Sequence, residues 1–223
     1  MPEEFDASAA PGGIRARRSS VVPVRALPHS FYHRPAEIVA RELLGARLVS
    51  EVGGVRCVGE IVETEAYFGP EDEASHAHER IGRTARNAAM FEAPGVAYVY
   101  RIYGMHWCLN AVTGPEGFPA AVLIRALRPL EGIEVARARR VGRPDRELMR
   151  GPGKLAAALG VDGSLNRHPL DRAPLWIEAG PPLPDAAVAR GPRIGISRAV
   201  HLPLRFWVRG SEWVSGGRRM NDQ

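Results

Sequence analysis

The chain has 223 residues, 45% of them hydrophobic and 25% charged, with a formal charge of +5; that length suits one domain around a sizeable core. The composition argues for a soluble globular protein, because no apolar run approaches the ~20 residues that a membrane-spanning helix needs. Two cysteines, Cys57 and Cys108, without C-x-x-C spacing argue against a disulfide framework and make a reducing compartment, the cytoplasm, the expected location.

In chain order, MPEEFDASAAPGGIRARRSS is small, polar and rich in arginine and has no apolar signal core. Residues 1–26 are therefore expected to form a disordered basic arm. The folded domain is expected to span 27–216, with 217–223 a short tail. Pro35 to Leu44 carries Ile38, Val39, Leu43 and Leu44 at helical spacing, and Gly45 supplies a stop. ARLVSEV and VRCVGEIVETEAY flank Gly53-Gly54 and predict paired antiparallel strands. VAYVYRIYGMHWCLNAVT predicts a second hairpin that turns at Gly104, and AAVLIRAL a short, almost wholly apolar strand. Helices are predicted over Glu131 to Arg140 and Asp145 to Leu159, the latter broken at Gly151-Pro152. PLWIEAG, RIGIS and LRFWVRG read as short strands between loops. The sum is an α+β domain, with a curved, mainly antiparallel sheet wrapped by helices and a protruding hairpin.

Of the 30 basic residues, Lys154 is the single lysine and the rest are arginine. Guanidinium groups fork onto phosphates, so this bias suits a polyanionic partner, although charge alone does not identify one.

Against that basic background, EIVETEAYFGPEDEASHAH gathers Glu60, Glu63, Glu65, Glu71, Asp72 and Glu73 and ends in His76 and His78. Strand alternation puts Ile61, Glu63, Glu65 and Tyr67 on one face. Arg125 interrupts the apolar LIRAL run, and a guanidinium there needs a carboxylate from a neighbouring strand, Glu65 or Glu63 being the candidates. Tyr98 and Tyr100 share a strand face, where Tyr98 reads as a packing residue. Tyr103, at a hairpin tip with little core to enter, is a candidate wedge between bases. GPGKLAAALG opens a helix whose free N–H groups and Lys154 could hold an anion, without being a Walker sequence. The GPEDEA segment reads as a polar turn that leads His76 back towards the strand. The histidines and cysteines lack zinc spacing, and no metal site or cofactor is expected.

These segments, VETEAYFGPEDEASHAH, RNAAMFEAPGVAYVYRIYGM, CLNAV, LIRALRPLEG, GPGKLAAALG and LRFWVRGSEWVS, resemble in order the alkyladenine (3-methyladenine) DNA glycosylase family. The resemblance implies a monofunctional, cofactor-free enzyme, acting as a monomer on double-stranded DNA with no membrane or obligatory protein partner. Such an enzyme flips an alkylated purine from the duplex and hydrolyses its N-glycosidic bond, leaving an abasic site. It implies Glu65 as general base, kept ionised by Arg125; a base pocket of Tyr67 on one side with His76 and Tyr100 on the other; Asn110 as a discriminator against guanine; Tyr103 as the intercalating side chain; and Arg86, Gly153 and Lys154 near the DNA backbone. 3-Methyladenine and 7-methylguanine are the implied substrates. Acceptance of hypoxanthine or ethenoadenine depends on protonation of a neutral base and on pocket fit. The reading from another class is a non-catalytic nucleic-acid-binding module on the same scaffold.

Overall fold

The computed structural model describes residues 26–216, so most of the arm and the tail expected from sequence lie outside the described residues. Helix α1 is a single turn, His29–Tyr32, and α2, Ala36–Glu42, ends before Gly45, whose φ of 86° no β-carbon favours. Of the face anticipated from spacing, Val39, Leu43 and Leu44 are buried and Ile38 is exposed, while Ala40 joins the buried set. Strands β1 (Arg47–Ser50) and β2 (Cys57–Tyr67) pair antiparallel as expected. Their connection is longer than a two-residue turn: Val52–Gly54 winds into a 3-10 turn, with both glycines at φ 74°.

Strands β3 (Ala97–Ile102) and β4 (His106–Thr113) form the tyrosine hairpin, and β5 runs from Ala120 to Glu131, longer than the apolar run suggests. Helices α3 (Ile133–Arg139) and α4 (Pro152–Leu159) follow, separated by a 3-10 turn at Asp145–Glu147. The last third supplies β6 (Asp171–Arg172), β7 (Leu175–Glu178), β8 (Val188–Gly191) and β9 (Arg205–Val208). RIGIS is not a strand but a loop between β8 and β9.

All pairings between these strands are antiparallel, in the order β3-β4-β5-β2-β1-β7-β6. The sheet branches at β2, whose first residues pair with β1 while Glu63–Glu65 pair with β9, and β9 in turn carries β8. One large core packs α2 and α4 against the sheet. A smaller cluster of Ala77, Ala89, Met90, Tyr98, Val112 and Ala121 sits under the acidic loop.

Two irregularities in the β2–β5 ladder aim the functional side chains. The register runs Ile61↔Leu127, Glu63↔Ala126, Thr64↔Ile124, which leaves Val62 unpaired on β2 and Arg125 unpaired on β5. A β-bulge re-aims the residue it inserts, so simple alternation from Ile61 to Tyr67 does not hold through this stretch. Beyond it, direct cross-strand partners line up as Tyr98, Asn110, Leu123, Glu65 and Arg205 across β3, β4, β5, β2 and β9.

At the β5–α3 junction Gly132 takes φ 67°, and a β-carbon there would lie 2.2 Å from the Arg56 carbonyl oxygen. Left-handed backbone and backbone overlap both penalise a side chain. Gly132→Ala is expected to lower unfolding free energy by about 2–4 kcal/mol in denaturant titration.

Candidate active site

The row of cross-strand partners borders a cleft of about 970 Å³ between the sheet, the acidic loop, the α3–α4 region and the 194–198 loop. Tyr67, His76, Tyr98, Tyr100, Asn110 and Arg125 line it, and Ala121, opposite Tyr67 on β5, leaves it room. Glu65 does not reach the cleft surface. It has no exposed area and lies behind Tyr67 and Arg125.

Three donors engage the Glu65 carboxylate. The Ile194 N–H donates to Oε1 at 2.7 Å, the Tyr67 hydroxyl donates to Oε2 at 3.0 Å, and Arg125 Nη1 stands 3.1 Å from Oε2. A carboxylate has about four acceptor positions, so one remains. The same guanidinium reaches Glu63, with Nε 3.0 Å from Oε1; Arg205 Nε donates to that oxygen at 2.6 Å and the Ser215 N–H to Oε2 at 2.5 Å. Arg125 thus has both carboxylates that the sequence offered it. The cluster of Glu63, Glu65, Arg125 and Arg205 is formally neutral, as burial requires.

Arg125 favours the ionised form of Glu65, as expected, but burial opposes it more strongly. Burial pushes the Glu65 carboxyl above its ordinary value, and the pull of Arg125, the Ile194 N–H and the Tyr67 hydroxyl in the other direction does not fully offset it. The Tyr67 hydroxyl is raised by burial first and then by the Glu65 charge, so it stays a donor.

Three further lining residues form a packed aromatic unit. The His76 and Tyr100 rings meet edge to face at 4.5 Å, and Tyr98 and Tyr100 stack at 5.2 Å. His76 Nδ1 lies 2.9 Å from the Tyr98 hydroxyl, and the Asn87 amide donates to the His76 carbonyl at 2.9 Å. Burial, then the Arg86 charge, pushes the His76 imidazole below its ordinary value, so it is neutral at pH 7. Burial also pushes the Tyr98 hydroxyl up to about 12. Tyr98 is the packing residue expected of it, but it also orients His76, a role its place in a strand did not reveal. Asn110 is buried, its amide donating to the Tyr98 carbonyl at 3.0 Å.

At the rim, Tyr103 is 80% exposed and holds φ 53°, a left-handed conformation uncommon outside glycine, next to Gly104 at φ 68°. The exposed Arg86 stands 5.6 Å over the Tyr100 ring and donates to the Arg101 carbonyl at 3.0 Å. Lys154 lines the cleft but its ammonium is paired with Glu147. Gly153 lets α4 approach the hairpin, since a β-carbon there would stand 3.0 Å from His106 Cβ.

Two functional-looking groups escaped the sequence reading. Ile194 contributes a backbone N–H, which no side-chain pattern marks. Asp72 is not part of a solvated turn; it is fully buried between exposed Glu71 and Glu73 and bonded to Arg193, itself fully buried. No flanking signal separates Asp72 from its neighbours.

A cleft lined by aromatic rings, with a buried carboxylate–guanidinium pair behind its lining and an exposed aromatic at its mouth, has the form of an enzyme pocket for a planar group. The sequence model of the methylpurine-DNA glycosylase family matches residues 30–212. The chain is 51% identical over 194 residues to a Myxococcus xanthus protein named "Putative 3-methyladenine DNA glycosylase", covering 86% of this chain and 94% of that one. A Salinibacter ruber protein of the same name is 47% identical, over 85% and 96% of the two chains. The chain belongs to the methylpurine-DNA glycosylase family and is a DNA glycosylase.

Removal of the Arg125 charge tests the buried cluster. Arg125→Leu leaves two buried carboxylates facing Arg205 alone, and breaking such a network costs about 3–5 kcal/mol. The variant's Glu65 is then raised further. Between the unfolded and the raised folded pKa the native state binds more protons than the unfolded state, so stability falls as pH rises through that window. The loss read from denaturant midpoints is expected to be larger at pH 7 than at pH 5.

Proposed function

We propose that this enzyme hydrolyses the N-glycosidic bond of 3-methyladenine, and of 7-methylguanine, flipped from duplex DNA, acting as a monomer and leaving an abasic site without strand cleavage. The observation that carries the reading is the Glu65–Arg125 pair at 3.1 Å behind Tyr67, at the foot of the ring-walled cleft.

The flipped purine stacks between Tyr67 and the His76–Tyr100 pair, at ~1–3 kcal/mol per base, with cation–π attraction added for a charged base. Neutral His76 adds no repulsion to a cationic purine. The departing base leaves an oxocarbenium-like sugar, which the Glu65 carboxylate stabilises while it orients water through its remaining acceptor position. Water adds to C1′, its proton passes to Glu65, and the glycosidic electron pair leaves with the base. A base alkylated at N3 or N7 departs neutral and needs no general acid. Asn110, buried in the cleft lining, disfavours the exocyclic amino group of guanine, a penalty that 7-methylguanine shares and its positive charge offsets, and Tyr103 fills the space that the base vacates. Arg86 and the Gly153–Lys154 helix start face the DNA backbone. Lys154, the single lysine, is held by Glu147, which accords with hydrolysis rather than a Schiff-base route.

Glu65→Gln is expected to slow release of labelled 3-methyladenine from methylated duplex by about 10²-fold or more while duplex binding persists. The wild-type rate should fall as acid protonates Glu65, on a limb centred above the ordinary glutamate value, because the ionised form is the active one. Equal release by the two proteins would refute the assignment, and binding without release by either would favour the non-catalytic module. Tyr103→Ala is expected to weaken binding to damaged duplex by about 1–3 kcal/mol and to leave the melting temperature unchanged, as its exposure requires.

A further inference from the structure

Behind Tyr67 lies a second buried ion pair. Arg193 Nη1 and Nη2 donate to Asp72 Oδ2 and Oδ1 at 2.5 and 2.8 Å, and both side chains are fully buried. Asp72 also accepts from the Phe68 and Ala74 N–H groups at 3.3 and 3.1 Å. Arg193 Nη1 further donates to the Ala66 carbonyl at 2.9 Å, while Nε finds no acceptor among the described residues. The guanidinium carbon sits 4.6 Å from the Tyr67 ring centroid. Tyr67 lines the cleft and Arg193 does not, so the cation covers the rear face of the ring.

That position has an electrostatic consequence. A ring attracts a cation through its negative faces, and an unbalanced charge behind one face would repel a cation placed on the other. A base stacked on Tyr67 lies one contact distance, about 3.5 Å, in front of the ring, hence roughly 8 Å from Arg193. At an effective dielectric of about 20, one unit charge at that range changes a cation's affinity by roughly ten- to thirtyfold. The bidentate carboxylate cancels it. Burial of an ion pair is a poor route to stability in itself, which leaves the charge balance and the ring's placement as its physical effect.

We propose that Asp72 is a specificity-determining positioning residue: by neutralising Arg193 behind Tyr67, it lets the cleft prefer a cationic purine over a neutral one of the same shape. This rests on the proposed stacking of the flipped base on Tyr67. Arg193 also leads into Ile194, whose N–H holds Glu65, so one buried pair anchors both the ring and the segment that supports the carboxylate.

The test uses wild-type full-length protein as parent and two duplexes that differ in charge alone, each with a 2′-fluoro sugar that resists hydrolysis at the modified nucleotide. One carries 7-methylguanine, the other its neutral isostere 7-deaza-7-methylguanine, and affinities are read by fluorescence anisotropy. The parent should bind the cation more tightly. Adding Asp72→Asn should cut that preference about tenfold, with the neutral duplex changed less than about twofold. Adding Arg193→Met as well, which removes the charge it left, should restore the preference. Equal weakening of both duplexes by Asp72→Asn, or an unchanged preference, would overturn the proposal. Should Asp72→Asn not fold, the double variant decides: a retained preference supports charge balance and a lost one overturns it. A parent that binds neither modified duplex above unmodified DNA overturns both this inference and the stacking beneath it.

Discussion

The site depends on one arginine held out of water. Arg125 is the extra residue of a bulge in β5, and it extends from an otherwise apolar strand to two carboxylates on β2. An unpaired guanidinium in that place would cost several kcal/mol, so the sheet must bring β2, β5 and β9 together in one register or not form at this point. That requirement explains the branching of the sheet at β2. The strand that arrives there, β9, carries Arg205 opposite Glu65 and completes the charge balance.

The two glutamates are two residues apart and share Arg125, yet their environments divide their roles. Glu63 receives two guanidiniums and the Ser215 N–H. Glu65 is braced by one guanidinium, one N–H and a tyrosine that itself faces the cleft, and burial raises its affinity for a proton. With three donors each, the two carboxylates differ in charge rather than in donor count: two guanidiniums hold Glu63 and one holds Glu65. The carboxyl that burial raises is the better proton acceptor near neutral pH, and environment rather than residue type divides the two.

Much of this was legible in the chain because it contradicts its own surroundings. Arg125 breaks an apolar run, and Glu65 and Tyr67 share a face; each invites a partner, and the fold supplies one, whereas Tyr103, an aromatic at a turn, stays exposed at the rim. The hairpins and α2 were legible for the opposite reason, that pattern and punctuation agree. What was not legible depends on contacts distant in sequence. The bulges at Val62 and Arg125 leave no mark on the pattern, and the pairing of Glu63–Glu65 with β9 spans 140 residues or more. Asp72 looks like Glu71 and Glu73 until Arg193 is placed against it, and RIGIS has the composition of a strand although its backbone serves as a donor loop.

Under the proposed function, the buried charges also account for how a basic protein could receive a cationic base. Glu63, Glu65 and Asp72 are matched by Arg125, Arg205 and Arg193 in pairs of 2.5 to 3.1 Å, so around the cleft floor three anions cancel three cations. The surplus of +5 therefore belongs to the rest of the chain, where it can attract a polyanion over a Debye length of about 8–10 Å. Attraction for the phosphate backbone and tolerance of a positively charged base would conflict if one field served both. Under the proposed function, separation of a positive exterior from an electroneutral floor removes the conflict, and the low dielectric of the floor strengthens the pull of the ring faces and the Glu65 carboxylate on the base and sugar.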